Sequence, residues 1–211
     1  MFFPYKDDNP RILIPYVTYG IIALNAVVFL LQTGIGTANA DLIYAFGLIP
    51  NHWTVLTLFT SMFLHGGLFH ILGNMWFLWI FGDNIESAFG HTQYLVFYLL
   101  CGIGAAVAQI MIDPTSGIPM VGASGAISGV LAAYMMRYPK ARVHVFVFLF
   151  FFFTTIRVPA MIVIGLWFLE QLTNGIGSIG VQSGGVAWFA HIGGFVVGVG
   201  LERIKKLVRF V

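Results

Sequence analysis

Two short strings contain the residue types that nucleophilic catalysis requires. Ser124 lies in Gly122-Ala123-Ser124-Gly125-Ala126, and His191 lies in Ala190-His191-Ile192-Gly193-Gly194. A serine hydroxyl becomes a nucleophile when a neighbouring base takes its proton, and histidine is the usual base. Glycines flanking Ser124 let a substrate or a second backbone approach closely. The string reads as the start of a helix, where free N–H groups favour developing negative charge. Alone it is equally compatible with a packing serine in a glycine-rich interface. His70 and Asn74 stand four residues apart, on one helix face. Both can donate hydrogen bonds, and an oxyanion needs such donors, each worth roughly 100-fold or more. As an isolated pair they would more readily be an interhelical hydrogen bond. Buried polar groups in membrane spans are costly, however, and point to function.

Other chemistries fit less well. His-Glu-x-x-His is absent from the sequence. His65, His70 and His191 have no accompanying carboxylate or fourth ligand for zinc, and no metal or cofactor is expected. An aspartyl mechanism needs paired carboxylates. Asp83 and Glu86 are the only acids in their span, close to its end, and Glu86 reads as a structural hydrogen-bonding residue. No acid suggests itself as a partner for His191, so the sequence predicts a Ser–His dyad rather than a triad.

The elements that must position these residues are membrane spans. Of 211 residues, 59% are hydrophobic and 9% charged, and the mean hydropathy is +0.90. A soluble domain has about 25% charged residues, so lipid must be the solvent for most of this surface. The net charge of +2 is too small for nucleic-acid binding. Cys101 is the sole cysteine, cannot form an internal disulfide, and reads as a packing residue. The first ten residues are polar and lack the apolar core of a cleavable signal, so the first apolar run is expected to be an uncleaved anchor.

One domain over residues 1–211 is expected, all-α and polytopic, with spans at 12–32, 68–88, 93–112, 121–136, 158–173 and 186–204. Residues 53–64 are apolar but interrupted by hydroxyls, as in a segment lying at the interface. Asp113-Pro114-Thr115-Ser116-Gly117 is a turn. The fourth span has about 16 residues, roughly 24 Å of helix against a ~30 Å apolar core. One of its ends must therefore lie below the membrane surface, where a water-filled cavity is tolerated. With the N-terminus inside, all ten basic residues fall on the cytoplasmic side: Lys6, Arg11, Arg137, Lys140, Arg142, Arg157, Arg203, Lys205, Lys206 and Arg209. Making the Phe-rich segment 143–155 a span would break that pattern, so it is predicted to be membrane-associated and non-spanning. His70, Ser124 and His191 then fall at similar offsets from the outer ends of the second, fourth and sixth spans and can meet in one layer. Gly125 and Gly129, with Gly194 and Gly198, form two small-residue faces that bring the fourth and sixth spans close enough for Ser124 to reach His191.

With these residues in place, the chain resembles the rhomboid family of intramembrane serine proteases from its first span onward. Three strings carry the likeness: His65-Gly66-Gly67-Leu68-Phe69-His70-Ile71-Leu72-Gly73-Asn74, Gly122-Ala123-Ser124-Gly125 and Ala190-His191-Ile192-Gly193-Gly194. The resemblance implies a six-helix bundle with Ser124 as nucleophile and His191 as base. His70 and Asn74 would assist the backbone N–H groups of Ser124 and its neighbour Ala123 in binding the oxyanion. Glu86 would be structural, and Gly194 and Gly198 would pack the sixth span on the fourth. Implied substrates are single transmembrane helices cut near the outer face, whose unwinding exposes the scissile bond. There are two departures. Ser128 occupies the place where many members stack an aromatic on the catalytic histidine, and Leu56-Thr57 stands where part of the family has Trp-Arg. Partners are therefore expected to be membrane-protein substrates and the bilayer, in a bacterial or archaeal plasma membrane with both termini cytoplasmic. The alternatives are a catalytically silent relative that binds membrane helices and, with no inverted repeat of broken, charged helices to support it, a small transporter.

Overall fold

A computed structural model describes residues 2–10, 12–34, 38–149, 152–179 and 186–208. Eight helices and three strands occur among them. Strand β1 covers Phe2–Asp7 and is followed by α1, Tyr16–Gly34, α2, Ala38–Phe46, and α3, Val55–Thr60. Next come α4, Leu68–Phe89, α5, His91–Ile112, and α6, Ser124–Arg137. Strands β2, Arg142–Leu149, and β3, Phe152–Pro159, precede α7, Ala160–Gly177, and α8, Trp188–Val208.

By length and apolar composition, α1, α5 and α7 are each able to cross a membrane. A fourth candidate is the pair formed by Val55–Phe63 and α4, which meet at a 90° bend. The central helix is α6. All ten residues from Gly125 to Tyr134 are buried, as expected of a helix that is apolar all round. It packs on α4, α5, α7 and α8. Its 14 residues give about 21 Å of helix, and its first residue is Ser124 itself, three residues later than the predicted start of the span.

Small residues let the backbones touch. A Cβ on Gly194 would run into the Gly125 carbonyl, and one on Gly198 would meet the Gly129 backbone. On the neighbouring face, Gly125 lies over Ala105 and Gly129 over Cys101, both from α5. The far ends of α4, α6 and α8 are tied together. Arg137 pairs with buried Glu202 at 2.9 Å, Lys206 donates to the Met136 carbonyl at 3.2 Å, and Lys205 donates to the Phe89 carbonyl at 3.4 Å. Cations at helix C-termini are favourable against the helix dipole.

The helical class holds, with one addition. Segment 143–155 is not helical, and most of it lies within the β2–β3 hairpin. β1 joins this hairpin to make a three-stranded antiparallel sheet in the order β1-β2-β3. The pairing sets Phe3 against Phe146 and Val145 against Ile156. Branched and aromatic residues suit a pleated, half-buried surface, and alternation sends Val143 and Val145 into the core. The register shifts between Pro4 and Lys6, where proline has no N–H to offer. Instead the Pro4 carbonyl accepts from Trp76 Nε1 at 2.7 Å.

Two carboxylates lock this scaffold. Glu86, fully buried near the end of α4, accepts from the N–H groups of Val17 (2.8 Å) and Thr18 (2.7 Å) and from the Thr18 hydroxyl (2.7 Å). Those amides belong to the first turn of α1, which has no intrahelical acceptor for them. His91 Nδ1 lies 2.7 Å from the same carboxylate. Glu86→Ala should therefore cost about 3 kcal/mol, since two buried amides lose their acceptor. Thermal unfolding in detergent measures this, and an unchanged midpoint would exclude Glu86 as the cap of α1.

Asp7 reaches from β1 to the far end of α6, where its carboxylate accepts from the Tyr134 hydroxyl and from Asn84 Nδ2 at 3.2 Å. Burial pushes the Asp7 carboxyl up from its ordinary 3.8 to about 6; the Tyr134 hydrogen bond opposes this and the charge of Asp83 adds to it. The folded state thus holds this proton more tightly than the unfolded chain. The resulting stability is complete below about pH 4 and is lost as pH rises through about 6. The unfolding midpoint of wild type should accordingly fall relative to Asp7→Asn between pH 4 and 7. Parallel curves would show that Asp7 does not titrate in this window.

Candidate active site

The starts of α4, α6 and α8 surround a cavity of about 990 Å³ lined by His70, Asn74, Gly122, Ser124, Trp167 and His191, among others. Gly122 turns the chain into α6 with φ +126°, a conformation open to glycine, and its N–H donates to the Ser61 carbonyl at 2.9 Å. A Cβ there would sit 2.7 Å from His70 Nε2, so the missing side chain also makes room for that ring. Ala123 is the fully buried N-cap. Ser124 follows as the first helical residue, and its N–H has no intrahelical partner.

Ser124 Oγ lies 2.7 Å from His191 Nε2. The other ring nitrogen, Nδ1, lies 2.7 Å from Gln171 Oε1, contributed by α7. The Gln171 amide nitrogen donates to the Trp167 carbonyl at 3.2 Å, so its oxygen faces the ring. An amide oxygen only accepts, and Nδ1 therefore carries the proton. The Nε2 lone pair is left to receive the Ser124 hydroxyl. The arrangement has the parts of an activated nucleophile: hydroxyl, base, and a third group orienting the base.

His70 is fixed in the complementary tautomer. Its Nδ1 accepts from the Gly66 N–H at 3.3 Å, so Nε2 bears the hydrogen and points it towards Gly122 and Ser124. Asn74 lies one turn further along α4, lines the same cavity, and donates one amide hydrogen to the His70 carbonyl at 2.9 Å. His65 is buried with its ring edge-on to His70, and Gln32 clamps its backbone, with Nε2 donating to the His65 carbonyl at 2.7 Å and Oε1 accepting from its N–H at 3.2 Å.

Ser128 donates to the Ser124 carbonyl at 2.6 Å rather than covering the His191 ring. The aromatics near that ring come from elsewhere: Trp167 at 6.0 Å and Trp188 at 6.3 Å between centroids. In the first loop, Thr57 completes a capping box with Thr54 at the start of α3, and a pair of backbone hydrogen bonds ties Leu48 to Met120. The loop is thereby anchored just before Gly122 without a Trp-Arg pair.

Comparison with known proteins agrees with this architecture. A family profile described as the Rhomboid domain matches residues 52–205, well over half of the chain. The chain belongs to the rhomboid family. It is an integral membrane protein of that family, and it is similar to several rhomboid proteins from distant sources. Identity with the rhomboid protease GluP of Bacillus subtilis is 35% over 129 residues, covering 57% of this chain and 24% of GluP. The human presenilin-associated rhomboid-like protein, mitochondrial, is 33% identical over 138 residues, 64% of this chain and 36% of that protein. RHOMBOID-like protein 1 of Arabidopsis thaliana is 31% identical over 144 residues, 68% of this chain and 33% of its own length. The rhomboid chain described here thus spans about a quarter to a third of these relatives.

The residue that sequence reasoning missed is Gln171. A signal was present: Glu170, Gln171, Thr173 and Asn174 interrupt an otherwise apolar span, and a polar residue inside a span suggests function by default. What the linear sequence does not show is which face of α7 meets α8.

Proposed function

We propose that this rhomboid protein is an intramembrane serine endopeptidase that cleaves peptide bonds in or near transmembrane helices of membrane-protein substrates. One observation carries the reading: the Ser124 hydroxyl lies 2.7 Å from a histidine nitrogen whose lone pair is freed by the hydrogen bond on the opposite side of the ring. Ser124 Oγ attacks the scissile carbonyl carbon while His191 Nε2 takes its proton. The oxyanion forms within reach of the His70 Nε2–H and the N-terminal amides of α6, including those of Ala123 and Ser124, with Asn74 as a further donor. The imidazolium then protonates the leaving amine, and water hydrolyses the acyl-enzyme by the reverse proton path. Water reaches this chemistry through the cavity, because α6 is too short to fill the apolar layer.

In this reading six spans form one rhomboid domain, with α4, α6 and α8 running in the same direction. The basic ends of α6 and α8 and the β-sheet face the cytoplasm, and the catalytic layer lies towards the outside of a bacterial or archaeal plasma membrane. The test is cleavage of a single-span substrate by purified protein in liposomes, together with labelling of Ser124 by a fluorophosphonate. Cleavage with labelling supports the reading. Failure of both across several substrates would favour a silent relative that binds membrane helices.

A further inference from the structure

His191 has two ring nitrogens, and only one of them serves Ser124. What holds the other decides whether the ring can act. Gln171 is 3% exposed, and its amide is fixed at both ends, by the Trp167 carbonyl at 3.2 Å and by His191 Nδ1 at 2.7 Å. A free imidazole samples two neutral tautomers. The wrong one would turn an N–H towards the Ser124 hydroxyl, and no proton could be accepted there. The ring's orientation also needs a restraint, because Ser128 spends its hydroxyl on the Ser124 carbonyl and leaves that side of the ring without a stacking group.

We propose that Gln171 is a positioning residue that fixes both the tautomer and the rotamer of His191 through the Oε1–Nδ1 hydrogen bond. It does this without a charge. A carboxylate at the same place would have to be held ionised in a buried site between two membrane helices, at a desolvation cost of several kcal/mol; a neutral amide accepts the same hydrogen bond and avoids that cost. The pair is therefore better described as a chain of four groups, from the Trp167 carbonyl through Gln171 and His191 to Ser124. This inference rests on the proposed serine mechanism.

The test compares wild type, Gln171→Met and Gln171→Glu as full chains in liposomes with one single-span substrate, measuring kcat, KM and the pH dependence of kcat/KM. Methionine keeps the bulk and removes the acceptor, so kcat should fall roughly 10- to 100-fold with KM within about twofold, as expected for a misoriented catalytic group. Glutamate restores an acceptor, so kcat should recover to within a few-fold of wild type. Its charge should move the acid limb of the profile to higher pH, because a carboxylate beside imidazole favours the protonated ring. A glutamine whose side-chain oxygen did not contact the His191 ring would leave that limb unmoved on substitution by glutamate. Wild-type kcat and profile in a folded Gln171→Met would overturn the inference, as would a Gln171→Glu variant as slow as Gln171→Met with its acid limb unmoved. If the methionine variant does not fold, the glutamate profile decides alone. Absence of cleavage and of fluorophosphonate labelling in wild type would instead overturn the serine mechanism itself.

Discussion

Ser124→Ala is expected to abolish cleavage of a single-span substrate, reducing kcat by roughly 10⁴-fold or more, to the background of the assay. The reason is chemical rather than structural. In the proposed mechanism the hydroxyl is the atom that attacks, and it lies 2.7 Å from His191 Nε2, the nitrogen that would take its proton. Thermal stability should hardly change, because the lost group is small and lies beside a cavity. Cleavage and unfolding measured on the same preparation separate the two effects. A variant that still cleaves at the wild-type rate would mean that another nucleophile, or a contaminating protease, is at work. His191→Ala should match it closely, since groups that act as one unit are not additive in their effects.

The second large effect is expected far from any reacting atom. Gly194 of α8 rests directly on the Gly125 carbonyl of α6, so even one added methyl must push the two helices apart. Ser124 is one residue before Gly125 and His191 is three before Gly194; any separation there opens the bond between them. Overpacking costs about 1–3 kcal/mol, and a displacement of about 1 Å at a reacting pair costs about 100-fold in rate. Gly194→Ala should show both losses together. Gly200, on the same helix with open space around its α-carbon, supplies the control: Gly200→Ala should leave kcat unchanged and stability equal or up to about 1 kcal/mol higher. Equal behaviour of the two variants would show that the glycine contact does not set the distance between Ser124 and His191.

These two expectations come from features with different visibility in the sequence. Apolar runs near 20 residues long mark most of the helices, and counting inward from their ends puts His70, Ser124 and His191 at one depth. The structure gathers those three around one cavity. The glycine spacing that lets α6 and α8 touch is likewise local: it is a four-residue repeat on a single helix face. Elements whose meaning depends on a distant partner were not legible. β1 is six residues with no strong strand pattern of its own; it becomes a strand because β2 offers an edge more than 100 residues later. The Phe-rich segment reads as apolar either way, and the turn within the hairpin lies outside the described residues. Gln171 was visible as a polar residue in a span, but its role depends on how α7 is rotated against α8, and a single sequence carries no such angle. The start of α6 was placed three residues early because Gly122, with its positive φ, breaks the helix that its apolar neighbours suggest.

The position of β1 also constrains how the chain is assembled. Phe2 pairs with Val147, so β1 has no strand to bind until the six helices α1 to α6, which separate it from β2, have been synthesised. Long-range closure of this kind is entropically slow. During synthesis β1 must wait as an unpaired apolar edge beside the emerging bundle. Its docking, with Asp7 then meeting Tyr134 on α6, would mark the late step at which β1 is fastened to the helix that carries the serine.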